Sequence, residues 1–115
     1  MTEEKRFEEM NEQEFLAMFE RGEFPLAQWK HRPHVTVAYL YLRQYPLEQA
    51  LDKMRAGIKN HNAANELTGA YHETLTQVWA RIIHAVMSAH GPSDNAWHFF
   101  NHHSYLLNKM LPLLF

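Results

Sequence analysis

The stretch LTQVWARIIHAVM, from Leu75 to Met87, decides the fold class of this chain. Its apolar residues recur at the three- and four-residue spacing that marks one face of a helix. They are Leu75, Val78, Trp79, Ile82, Ile83, Val86 and Met87. The stripe predicts a helix over about residues 70–89, which Gly91 and Pro92 end. A helix with one apolar face needs other elements to cover it, so the rest of the chain must supply them.

The segments on either side also carry helical signals. Asn11 can cap a helix, and Glu14, three residues later, completes a capping box. Pro33 suits the first turn of a helix and disfavours helix in the residue before it, so a second helix is predicted to begin there. Predicted helical spans are about 11–21, 33–45, 47–64 and 94–114, the last interrupted near residues 101–104. No segment alternates like a strand, so we expect an all-α bundle of four to five helices.

Length, composition and charge exclude several classes of protein. With 115 residues, 46% of them hydrophobic, the chain suits a single helical domain over residues 1–115, with residues 1–10 loosely ordered. Phe7 and Met10 within that stretch could still pack against the domain. Zero cysteines exclude disulfides, thiolate metal sites and a cysteine nucleophile. A net charge of −2 gives no support for nucleic-acid binding, and no apolar run suits a membrane span. The acidic, amphipathic first 20 residues are unlike a signal peptide, so we expect a cytoplasmic protein.

Nine histidines stand out in this composition, and helical phase sorts several of them. His34 falls on the apolar side of its helix, whereas Thr36 falls on the polar side. His72 continues the apolar stripe quoted above, and His84 lies on the opposite face. We expect His84 and His98 to be solvated, while phase leaves the roles of His61, His90, His102 and His103 open.

The inward histidines suggest a metal site. His31 lies one turn before His34, so His31, His34 and His72 could converge on one divalent ion, which would be Zn, Ni or Fe. Three protein ligands and an open position are typical of a catalytic metal. Glu73 could act as the acid/base, as a fourth ligand or as a group that orients one. Thr76 could hydrogen-bond an imidazole.

Two motifs resemble those of a family of small uncharacterised bacterial helical proteins. They are the segments HRPHV, from His31 to Val35, and YHETLT, from Tyr71 to Thr76. The resemblance covers about residues 24–87 and implies that His31, His34, His72 and Glu73 form one signature. Pro33 departs from it, because an acidic residue is usual there in that family.

Two functions from different classes follow. One is a His-based mononuclear metal site used for hydrolytic or lyase-type chemistry on a small molecule. The other is a non-catalytic binding or oligomerisation module, in which inward histidines bond to buried backbone or tyrosine hydroxyls. The apolar C-terminus, LLF over residues 113–115, could then join copies of the chain into a homo-oligomer. A phosphate loop, a nucleophile elbow and inward carboxylates for a di-iron site are absent from the sequence.

Overall fold

The computed structural model of the protein describes residues 5–66 and 73–111 and confirms the all-α fold. Its helices are α1 (Glu12–Glu20), α2 (His31–Gln44), α3 (Leu47–Ala64), α4 (Glu73–His90) and α5 (Ala96–His102). Three 3-10 turns, Phe7–Glu9, Leu26–Gln28 and Ser104–Leu107, complete the described structure, which contains no strand in these ranges. None of the described helices combines the length and the apolarity that crossing a membrane requires.

Helix α2 is the centre of the bundle. It packs against α3 and α4, which also contact each other, while α1 and α5 lie against its remaining surface. Every residue from Val35 to Leu42 is buried, so this part of α2 is enclosed on all sides. A helix enclosed in this way is expected at the core of a domain rather than on its surface.

Burial of Thr36 corrects the prediction that it lies on a polar face. Thr36 is 5% exposed, and its hydroxyl donates to the Arg32 carbonyl at 2.7 Å. The side of α2 that looked free in the sequence is covered by other parts of the chain, α5 among them. An internal hydrogen bond of this kind lets a hydroxyl be buried without losing its partner.

The start of α2 also differs from the prediction. The helix begins at His31, two residues before Pro33, and the first intrahelical bond runs from the His34 amide to the Lys30 carbonyl at 3.2 Å. Proline at the third helical position is harmless, because the first amides of a helix have no partner within it. His31 and His34 are therefore one turn apart on a single helix, and they project to the same side.

Close approach holds α1 against α3. Asn11 caps α1 as predicted, accepting from the Glu14 amide at 2.8 Å. The ring of Phe19, on the inner face of α1, lies so near Gly57 of α3 that a Cβ on Gly57 would stand 2.3 Å from it. Phe19 is fully buried, so a glycine is needed at this crossing.

The segment before α1 takes part in the same core. Phe7, within the stretch expected to be loose, packs edge-on against Phe15 with ring centroids 4.9 Å apart. Its amide donates to the Gln28 side chain at 2.7 Å. These contacts tie the chain before α1 to the 3-10 turn at Leu26–Gln28.

Candidate functional site

An open cleft of about 610 Å³ lies beside the first turn of α2. Its volume is in the range of small-molecule sites in proteins. Four segments supply the described lining: the start of α2 with the two residues before it, the end of α3, the start of α4, and the chain after the last 3-10 turn. The lining residues are Trp29, Lys30, His31, His34, Ile58, Asn62, Leu75, Thr76 and Lys109.

His31 is held by a backbone group at the edge of this cleft. Its Nε2 lies 2.9 Å from the Leu106 carbonyl, and a carbonyl only accepts, so Nε2 carries the hydrogen. The other ring nitrogen, Nδ1, is then the basic one. The ring also packs edge-on against Trp79, with centroids 4.6 Å apart. Burial lowers the pKa of His31, the Leu106 bond opposes this, and the charge of Lys109 lowers it further.

His34 is the more strongly perturbed of the two. Burial, followed by the neighbouring His31, lowers its pKa from 6.5 to about 4. Its ring meets the edge of Trp29 at a centroid distance of 5.7 Å. Because desolvation disfavours the charged form, His34 is a neutral imidazole at physiological pH. Neutral imidazoles are the form that binds metal ions.

Glu73 occupies a different environment from the one a free acid/base would have. It opens α4, and its carboxylate accepts from Arg55 Nε at 2.8 and 2.9 Å. Gln77, one turn later, donates to the same carboxylate at 2.6 Å. Glu73 is not among the described residues that line the cleft. The structure thus joins α3 to the start of α4 through this ion pair.

The remaining predicted ligand, His72, lies outside the described residues, as does Tyr71. Thr76, which follows on α4, is 3% exposed and lines the cleft. Within residues 5–66 and 73–111, no three His, Asp or Glu side chains are grouped so as to hold a metal ion. The described part of the chain therefore brings together two of the three predicted ligands, His31 and His34.

The two lysines of the cleft were not predicted as site residues from the sequence. Lys30 is exposed just before α2, and Lys109 is exposed after the turn at Ser104–Leu107. Their sequence positions are far apart and follow no helical period, so no pattern connects them. Lys30 could have been noticed as the residue next to His31, but nothing local marks Lys109.

The other histidines divide between core and surface. His84 and His98 are exposed, as predicted. His61 is fully enclosed at the end of α3, with its ring 4.6 Å from that of Trp29, and within the described residues neither ring nitrogen has a partner in good hydrogen-bond geometry. Burial lowers the pKa of His61, while the nearby backbone of Phe24 and the side chain of Asn62 act in the opposite direction.

His103 is the second buried histidine, and the sequence did not reveal its burial. It is 9% exposed, packs against the Phe99 ring, and has its Nδ1 3.1 Å from the Tyr105 hydroxyl. Burial lowers its pKa, as do the nearby His90 and His102. The Tyr105 contact gives this buried imidazole the kind of partner that buried polar groups require.

Comparison of the chain with family models, with curated proteins and with solved structures finds no match. The cleft and the chemistry of the residues that line it are therefore the basis for assigning a function.

Proposed function

We propose that the protein uses the cleft as a metal-dependent site for hydrolytic or lyase-type chemistry on a small molecule in the cytoplasm. His31, His34 and His72 would hold one divalent ion. The observation that carries the proposal is that His31 and His34, one turn apart on α2, line the same cleft. Their lowered pKa values keep both imidazoles neutral at physiological pH, as metal binding requires.

The Leu106 carbonyl supports the role of His31 as a ligand. Histidines that bind metals usually donate their other ring N–H to a carbonyl or a carboxylate, which sets the tautomer and the ring orientation. His31 already makes this bond through Nε2, so Nδ1 has the lone pair that a metal would need. A bound ion would supply a Lewis acid and an activated water at neutral pH.

Glu73 fits a positioning role better than that of acid/base. Its carboxylate oxygens accept from Arg55 and Gln77, so their lone pairs are largely engaged. Glu73 directly follows His72, and the pair with Arg55 anchors the start of α4 to α3. Proton transfer by Glu73 would require this arrangement to open.

Elemental analysis of protein purified without a His-tag tests the metal site. We expect about one divalent ion per chain, as in mononuclear sites, and we expect His34→Gln and His72→Ala to lose most of it. His84→Gln, which changes an exposed histidine of α4, is the matched control and should keep the ion. Circular dichroism verifies that each variant is folded. The proposal would be overturned if the wild-type protein contained no metal and its melting temperature were the same with and without a chelator.

A non-catalytic binding module is the second candidate, and the His31 bond also favours it. An imidazole that donates to a buried carbonyl serves structure as readily as ligation. His103 beside the Tyr105 hydroxyl follows the same pattern. In this case the purified protein would contain no metal, and His31→Gln would lower the free energy of unfolding without changing metal content.

A further inference from the structure

Among the described residues, the charged side chains that line the cleft are all of one sign. Lys30 and Lys109 reach it from two separate segments, and both side chains are exposed. No aspartate or glutamate belongs to the part of the lining that the structure describes. A concave surface with charges of one sign concentrates the field and raises the local concentration of oppositely charged ligands.

Helix α2 adds to this potential. Its first turn contains no acidic residue, and Lys30, at the N-cap position, makes no side-chain cap bond. The positive end of a helix dipole favours anions within its first turn. Here it is a secondary contribution, because the two lysines and the cleft carry the charge and the shape.

Apart from the lysines and the two histidines, the described lining consists of three apolar residues and two buried, uncharged polar residues. Trp29, Ile58 and Leu75 supply the apolar surface. Asn62 and Thr76, which are 8% and 3% exposed, are the uncharged polar residues of the described wall. Ligand sites typically combine an apolar surface with a few such polar groups, which set the orientation of the ligand.

We propose that the cleft binds a small organic anion, in which a carboxylate or phosphate group is attached to an apolar body. Lys30 and Lys109 bind the anionic group, and Trp29, Ile58 and Leu75 contact the body. The inference rests on the proposed function to the extent that it names the substrate class of the same site. Anion binding by the lysines can nevertheless be measured without any metal.

Calorimetric titration of the full chain, freed of metal by a chelator, tests this with three probes of similar size. Benzoate and phenyl phosphate carry the two anionic groups, and benzyl alcohol is their neutral counterpart. We expect at least one anion to bind about fivefold or more tightly than benzyl alcohol, as charge-assisted bonds imply. The tighter of the two anions identifies the group that the cleft prefers.

Lysine variants assign the effect to this cleft. Lys30→Gln and Lys109→Gln should each weaken binding of the preferred anion about fivefold. Lys53→Gln is the matched control: Lys53 is exposed on α3, where its ammonium lies 4.8 Å from the Tyr45 ring, and it does not line this cleft. Binding of both anions no tighter than that of benzyl alcohol, no binding of any probe, or wild-type affinity in both cleft variants would overturn the inference.

Repeating the titration with one equivalent of zinc separates this inference from the proposed function. If zinc does not bind but the anion does so in a lysine-dependent way, the metal proposal fails and the anion site stands. If zinc binds through the histidines and the anion shows no dependence on Lys30 or Lys109, the reverse holds. The two ideas therefore fail on different measurements.

Discussion

Two parts of helix α2 differ sharply although they are continuous. From Val35 to Leu42 the helix is buried on all sides by the other helices. One turn earlier, His31 and His34 are half-buried and line an open cleft. The difference shows how a small domain can hold reactive groups, since the enclosed part of the helix fixes the position of the partly solvated end.

The two parts are stabilised by different forces. The enclosed part depends on apolar burial, to which each large side chain contributes about 1.5–3 kcal/mol. The cleft end depends on specific polar contacts, such as the bond from His31 to Leu106 and those from Arg32 to α5. Damage to the first should therefore affect stability, whereas damage to the second should affect binding and pH dependence more.

The largest expected effect is in the enclosed part. Leu40 is 1% exposed, so Leu40→Ala removes buried apolar atoms and leaves a cavity. We expect the free energy of unfolding to fall by about 2–5 kcal/mol, measured by urea denaturation. Leu26→Ala, at a residue that is 42% exposed, is the matched control and should change it by less than about 1 kcal/mol. Similar losses in the two variants would contradict the enclosure of α2 at Leu40.

The next largest effect is a loss of stability at low pH, and it comes from His34 at the cleft end of α2. His34 has a pKa of about 4 in the folded state and about 6.5 when unfolded, so the unfolded state binds the proton more tightly. The contribution of the neutral His34 imidazole to the free energy of unfolding is therefore fully present above pH ~6.5. It is lost as the pH is lowered towards ~4, and the loss amounts to roughly 3 kcal/mol. Urea unfolding of the metal-free protein across this range measures the loss.

His34→Gln isolates this contribution from other titrating groups. Burial also lowers the pKa values of His61 and His103, so they act in the same direction in both proteins. The variant should lose roughly 3 kcal/mol less than wild type between pH 6.5 and 4. Parallel profiles for the two proteins would show that the His34 imidazole is not desolvated in solution.

The smallest expected effect concerns Arg32, which ties the cleft end to α5. Its guanidinium lies 3.6 Å from the centre of the Trp97 ring and donates to the Trp97 carbonyl and the Asn101 side chain. Arg32→Lys keeps the charge but loses the planar fork, so we expect a loss of about 1 kcal/mol. The control is Arg81→Lys, since Arg81 is an exposed residue whose guanidinium lies 3.6 Å from the Glu48 carboxylate. Thermal unfolding of the two variants measures both losses. An equal change in the two variants would remove Arg32 from this role.

Local signals in the sequence predicted most of the helices correctly. Helix α3 runs from Leu47 to Ala64 as its apolar spacing predicted, and α1 is capped by Asn11. The start of α2 was wrong by two residues, because the proline rule describes a preference and tertiary contacts at His31 and Arg32 override it. That shift puts His31 on the helix itself, one turn from His34.

The candidate site was less accessible to sequence reasoning. Helical phase brought His34 to attention, and the spacing of one turn brought in His31; the two share the cleft. Phase put His61 on the apolar face of its helix but near the helix end, so its role stayed open; the rings of Trp29 and Phe19 that enclose it come from other segments. The pairing of Glu73 with Arg55 could not be foreseen either, since it joins two helices.

The sequence by itself determined where the helices form and which face of each is apolar, because helical periodicity and capping act over a few residues. Only the tertiary structure decided what those faces enclose. Lys30 and Lys109 are brought to one cleft by the packing of separate segments. The desolvation that makes His34 a weak base depends on the same packing. Burial of a side chain and the electrostatic field in the cleft depend on residues from several segments, so they arise only in the assembled bundle.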